Sequence, residues 1–79
     1  MKDKLFSIVA EVFGMHADEI SFDLEKEDVA IWDSLKQMDL VLSLEREFDV
    51  MLEMPEIVTM ISVASIRDIL RKKGIDFGD

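Results

Sequence analysis

Reactive side chains are scarce in this chain. It has no cysteine and a single histidine, His16. That leaves no thiolate nucleophile, no cysteine-ligated metal, and no histidine pair from which to build a base or a transition-metal site. No G-x-S-x-G elbow surrounds any serine, so hydrolase chemistry lacks both its turn and its base. His16, just past a glycine, reads as a solvated surface residue. Carboxylates are abundant, 18 in all, but none is paired by its surroundings as acid and base. The best calcium-loop candidate starts at Asp23, with Glu25 and Glu27 following. It fails at position 6, where Asp28 replaces the glycine of the sharp turn, and at position 12, where Ser34 replaces a bidentate glutamate. One hydroxyl remains of interest. Asp33-Ser34-Leu35 stands directly before a long apolar-periodic run, and either Asp33 or Ser34 could accept a hydrogen bond from the first helical turn. Ser34 is then an ordinary helix cap, or a hydroxyl held outside the core within reach of another protein's active site. If Ser34 is the cap, Gln37 occupies the capping-box position.

Three amphipathic segments must position that hydroxyl. Leu5, Ile8, Val9, Val12 and Phe13 repeat at helical spacing, and Gly14 can stop the run in a left-handed conformation. The spacing predicts a helix over 3–13. Leu35, Met38, Leu40, Val41, Leu42, Leu44 and Phe48 predict a second helix through about residue 48, with a wider apolar surface than one neighbour needs. Leu40, Leu44, Phe48 and Val41 can fill a core. Met38 and Leu42 lie on another stripe and read equally as packed or exposed. Pro55 suits the start of a short helix over 55–59. Ser62 can cap a last helix carrying Val63, Ile66, Ile69 and Leu70. Arg67, Arg71, Lys72 and Lys73 load its C-terminal half favourably for the dipole, and Gly74 ends it. Between residues 15 and 32 no period is sustained. Ile20, Phe22, Leu24, Val29 and Ile31 are expected to pin this long acidic loop to the core, with one short helical turn at most. The expectation is an all-α fold, a small bundle of three main helices plus one short helix, forming a single domain over 1–79.

Composition narrows the function classes. A chain of 79 residues that is 49% hydrophobic supports a packed core but not a deep pocket of its own, which argues against a stand-alone enzyme. The formal net charge of −9 argues against nucleic acid and favours partners with basic faces. No apolar stretch approaches the ~18 residues that span a bilayer. Met1-Lys2-Asp3-Lys4 lacks the apolar region of a signal peptide. A monomeric cytoplasmic protein is expected.

The residues around Ser34 then become familiar. Asp33-Ser34-Leu35, followed by Met38, Asp39-Leu40-Val41, Leu44-Glu45 and Phe48, resembles the Asp-Ser-Leu…Glu-Leu-Val…Leu-Glu…Phe signature of acyl carrier proteins. Phe13-Gly14, Ile20-Ser21 and Met60-Ile61-Ser62-Val63 resemble the family's Leu-Gly, Val-Thr and Ile-Thr-Thr-Val blocks, in step along nearly the whole chain. The resemblance implies covalent 4′-phosphopantetheine on Ser34, transferred from coenzyme A by a separate magnesium-dependent phosphopantetheinyl transferase. The arm's thiol would supply the sulfur chemistry that this cysteine-free chain lacks. A phosphodiester on Ser34 would also meet free N–H groups and the positive end of a helix dipole, worth ~0.3–1 kcal/mol at an exposed site. The partners implied are the transferase and acyl- or aminoacyl-loading and acyl-processing enzymes, which a tethered thioester reaches at high effective concentration. The cargo, whether fatty acyl, polyketide-type or aminoacyl, is left open. The competing reading is an unmodified helical adaptor that acts through its acidic face.

The resemblance also implies a recognition surface: Asp33 beside the serine, then Leu35, Met38, Asp39, Leu42, Glu45 and, on the short helix, Glu56. Three departures stand out. Val29-Ala30-Ile31-Trp32 replaces the usual Asp-Leu-Gly approach. Trp32 either packs over the loop or touches the arm or its cargo. Lys36 and Arg46 stand where acidic residues are common, and Ile57 and Val58 dilute the acidic cluster of the short helix. Charge steering by the second helix is therefore expected to be weaker here. A tryptophan before Asp-Ser-Leu looks more like discrete carriers of specialised pathways than like those of housekeeping fatty-acid synthesis.

Overall fold

The computed structural model describes residues 1–78. Helix α1 spans Lys2–Phe13, α2 Ser34–Phe48, α3 Met54–Ile57 and α4 Val63–Lys72. Each boundary has a local cause. Gly14 at φ 66° closes α1 in the left-handed conformation, and the Met15 N–H donates back to the Ala10 carbonyl at 2.9 Å. Asp49 closes α2 the same way at φ 54°, the one non-glycine residue with positive φ among those described. Aspartate is among the few side chains that tolerate this region. Ser62 and Ser65 cap α4 reciprocally, each N–H donating to the other's hydroxyl at 3.0 Å. Helix α3 begins one residue earlier than the sequence suggests and ends at Ile57, with Pro55 at its second position. Its first turn is closed by the Glu53 N–H donating to Glu56 Oε1 at 2.9 Å.

The core is the merged apolar face of these helices. Leu5, Val9 and Phe13 meet Leu40, Leu44 and Phe48, and Val63, Ile66 and Leu70 complete the centre. Met60, in the short connection before α4, is as buried as they are. Full burial of side chains of this size contributes ~1.5–3 kcal/mol each against the entropy of ordering the chain.

The long connection between α1 and α2 is ordered by two 3₁₀ turns, Ala17–Glu19 and Lys26–Asp28, rather than one. Ile20 and Val29 are buried, and Phe22 and Leu24 are half-buried against the core. Phe22 sits edge-on to Phe6 with centroids 5.1 Å apart, and the Arg67 guanidinium lies 4.6 Å from its centroid. Ile31 departs from the expectation. It is 45% exposed because the chain turns there to deliver Trp32 inward instead. The middle of this loop is also held by backbone. The Lys26 N–H donates to the Ile61 carbonyl (2.8 Å), Val63 N–H to Leu24 (2.9 Å) and Ala64 N–H to Phe22 (3.1 Å). Glu25 and Ser62 thereby form an isolated antiparallel bridge.

Candidate functional site

Ser34 is the first residue of α2, and its side chain is exposed. The cap is Asp33, whose Oδ1 accepts the Lys36 N–H at 2.9 Å while its carbonyl accepts the Gln37 N–H at 2.8 Å. Of the two candidate caps, the aspartate therefore takes the role, and the Ser34 hydroxyl is left uncommitted. The reading of Gln37 as a capping-box partner of Ser34 is corrected by the same geometry. Among the described residues the N–H groups of Ser34 and Leu35 meet no protein acceptor. They are the orphan donors expected of a helix start, and they suit an anion on the adjacent hydroxyl.

Two residues near that hydroxyl make it a fixed point. Trp32 is 3% exposed, with its ring 4.8 Å from Phe13. It packs inward, which decides between its two sequence readings. Its indole N–H donates to Gln37 Oε1. Gln37 is the one buried polar residue described. Its Nε2 donates to the carbonyls of Ile57 at 2.9 Å and Met60 at 3.3 Å. One amide group thus ties the loop before Ser34, the first turn of α2 and the end of α3 into a single unit. The sequence reading missed Gln37 because it was judged as a cap. Its spacing to Leu40, Val41, Leu44 and Phe48 places it on the buried stripe, and that signal was available.

The expected recognition residues divide into two groups. Leu35, Met38 and Leu42 are exposed at 75%, 44% and 58%, forming one stripe at i, i+3, i+7 that runs away from Ser34. Met38 and Leu42 are therefore not core residues. Met54 and Val58 add exposed apolar surface on and beside α3. Asp33 and Asp39 are exposed carboxylates. Asp39 lies toward α1, in a mixed-charge groove it shares with Lys4, Glu11, Lys36, Arg46 and Glu47. Glu45 and Glu56 are committed to the fold. Glu45 Oε2 accepts the Leu52 N–H at 2.9 Å, tying down the connection after α2. Glu56 Oε1 accepts the Glu53 N–H and lies 3.0 Å from Lys73 Nζ. That backbone hydrogen bond first, and the Lys73 ammonium second, hold the Glu56 carboxyl below its ordinary range.

No group of three or more metal-ligating side chains exists among the described residues. The seam between Leu44, Leu52, Met60, Ile66, Ile69 and Leu70 is too tight for a water-sized sphere. No described helix is long and apolar enough to cross a membrane.

A helical bundle that presents an uncommitted serine hydroxyl on an anion-receptive helix start has room there for a covalently attached anionic group. The profile of the family described as "Phosphopantetheine attachment site" matches residues 3–71. That is most of the chain, and the protein belongs to this family of phosphopantetheine-bearing carriers. The family's cofactor is covalently bound 4′-phosphopantetheine, and its members interact with the enzymes that modify and process them.

Proposed function

We propose that Ser34 is the attachment residue and that the protein carries acyl or aminoacyl intermediates as thioesters between partner enzymes. The observation that supports this most directly is the uncommitted, exposed Ser34 hydroxyl beside two unpartnered N–H groups. The residues present fit the group: a phosphodiester on Ser34 accepts from those donors, and the arm extends into solvent. When bound, the group supplies a terminal thiol that activates acyl units. The chain's own residues do the rest. Asp33 fixes the first turn, Trp32 and Gln37 hold it rigid, and Leu35, Met38 and Leu42 offer apolar contact to whatever approaches the arm. The protein positions and presents cargo without transforming it, and in this closed form the cargo stays outside the core.

Incubation with coenzyme A, magnesium and a broad-specificity phosphopantetheinyl transferase, followed by intact mass measurement, tests the assignment. One phosphopantetheinyl increment is expected on the wild type and none on Ser34→Ala. An unchanged wild-type mass, or an equal gain on Ser34→Ala, refutes it and leaves the fold acting as an unmodified adaptor. Ejecting and weighing the arm from protein isolated from its own host identifies the cargo class.

A further inference from the structure

The acidity of this protein is not on the helix where a carrier would be expected to display it. Helix α2 holds three carboxylates against two cations. Glu45 binds the Leu52 N–H, and Glu47 pairs with Arg46 at 3.3 Å. Only Asp39 is left without such a partner. Residues 15–33 hold seven carboxylates against Lys26 alone; Glu19, Asp28 and Asp33 accept backbone N–H groups, which leaves Asp18, Asp23, Glu25 and Glu27. Among the described residues, Glu25 and Glu27 have no cation within ion-pair distance. Their crowding has an electrostatic signature. The Glu25 carboxyl is pushed above its ordinary range first by the neighbouring Glu27 carboxyl, then by partial desolvation and the charges of Asp28 and Asp23.

Two of these carboxylates, Glu25 and Glu27, line an apolar depression together with Lys26. A groove of about 560 Å³ has Val29, Ala30, an edge of Trp32 and Ile61 as its apolar lining, with Glu25, Lys26 and Glu27 at its border. The ladder between residues 22–26 and 61–64 fixes its two sides relative to each other. Ile61 is 60% exposed at one side, and Ile31 is 45% exposed next to the other. Trp32 is two residues from Ser34, so the groove begins within ~7 Å of that residue along the backbone.

We propose that this groove docks a partner-enzyme segment that presents an apolar side chain flanked by basic ones, and that the loop, rather than α2, guides basic partners toward the arm. The proposal rests on Ser34 being the carrier residue. The rim selects the occupant. A phosphodiester arm, a phosphate-bearing polymer or a second copy of a chain with net charge −9 would meet like charge there. A basic, apolar-tipped segment satisfies both floor and rim, the arrangement that sets partner choice and encounter rate at interfaces.

The probe is a short amphipathic helical peptide of lysine and leucine, titrated into isotopically labelled protein before and after arm loading. Lysine–glycine and glutamate–leucine peptides serve as charge-only and reversed-charge controls. Amide shifts are expected to centre on residues 25–32 and 61–62. Glu25→Gln with Glu27→Gln should weaken binding about threefold to tenfold at low salt, and Ile61→Ser similarly, with the charge effect fading as salt rises. Asp39→Asn with Glu47→Gln should change it less than about twofold. Shifts centred on Leu35, Met38 and Leu42, equal weakening by both double variants, or equal binding of the lysine–glycine peptide would overturn the proposal. So would loss of peptide binding on arm loading with shifts at the groove, which would make the arm the occupant. Mass gain with the transferase is read on every variant. A protein that binds the peptide at the groove but never takes the arm separates failure of the Ser34 assignment from failure of the docking surface.

Discussion

Gln37→Ala should be among the most damaging single substitutions, because Gln37 is the one polar or charged residue buried among those described. The mutation removes three hydrogen bonds from a residue that is 8% exposed. The consequences differ by partner. The Ile57 carbonyl keeps the Met60 N–H as a donor at 3.1 Å. The Met60 carbonyl loses its Gln37 donor, and the Trp32 indole N–H loses its acceptor in a buried setting. An orphaned buried donor costs ~1–3 kcal/mol, and the truncated side chain leaves a void that collapses only in part. A total loss of about 2–3 kcal/mol is expected. With ~2.1 cal/mol/K of unfolding entropy per residue, 79 residues translate this into a melting-point drop of roughly 12–18 °C. Thermal and urea unfolding should be followed by circular dichroism and by Trp32 fluorescence, Trp32 being the only tryptophan. Gln37→Met separates the two causes. It restores volume without hydrogen bonds, and should still lose at least ~1 kcal/mol. Hydrogen exchange should quicken at residues 54–60 before it changes in α1. A Gln37→Ala protein within ~0.5 kcal/mol of wild type, or a Gln37→Met protein equal to wild type, would refute the claim that this amide ties α3 to the serine-bearing end.

Asp33→Ala removes the cap of α2, and should lower stability by about 1 kcal/mol in urea titration while slowing transferase loading of Ser34, whose backbone it fixes. Asp49→Gly relieves the positive φ of the α2 stop and should raise stability by up to about 1 kcal/mol in the same assay. Glu56→Gln should change the acid limb of the stability curve. The folded carboxyl is more acidic than in the unfolded chain, so its contribution is present in full above the ordinary glutamate range and lost as pH falls below it. Wild type and Glu56→Gln should therefore differ in melting temperature at pH 7 and converge as pH falls below the ordinary glutamate range. Parallel curves across that interval would count against the Glu53 and Lys73 contacts as the cause.

The helices were legible because their signals are local. The apolar spacing of α1, α2 and α4, the glycine after Phe13 and the Ser62 cap each fix an element without distant information. The positions misjudged or left open depend on contacts made across the chain. Ile31 reads as an anchor by composition, and only the inward turn of Trp32 pushes it out. The pairing of residues 22–26 with 61–64 involves segments too short for any period to register. Met38 and Leu42 could not be assigned until the packing of α1, α3 and α4 on the other faces of α2 was known. The Asp33-Ser34 ambiguity was genuine in the sequence, since both side chains cap helices. The structure resolves it by giving the cap to the aspartate, which leaves the serine hydroxyl unused.

The same division explains why a strongly acidic carrier can have a nearly neutral second helix. A glutamate that serves the fold cannot also be displayed at full strength. Glu45 holds the connection to α3, Glu47 pairs with Arg46, and Glu56 clamps α3 to the end of α4 through Lys73. Glu56 does this beside Ile57, whose carbonyl Gln37 links to the first turn of α2. Negative charge free to meet a partner is then concentrated where the backbone is held by other means. The loop over residues 15–33 is fixed by buried apolar residues, an aromatic pair and main-chain bonds to 61–64. Glu19, Asp28 and Asp33 accept backbone N–H groups there and at the start of α2, which leaves Asp18, Asp23, Glu25 and Glu27. Those four have no cation within ion-pair distance among the described residues, and their mutual repulsion is what the proposed basic partner would relieve on contact.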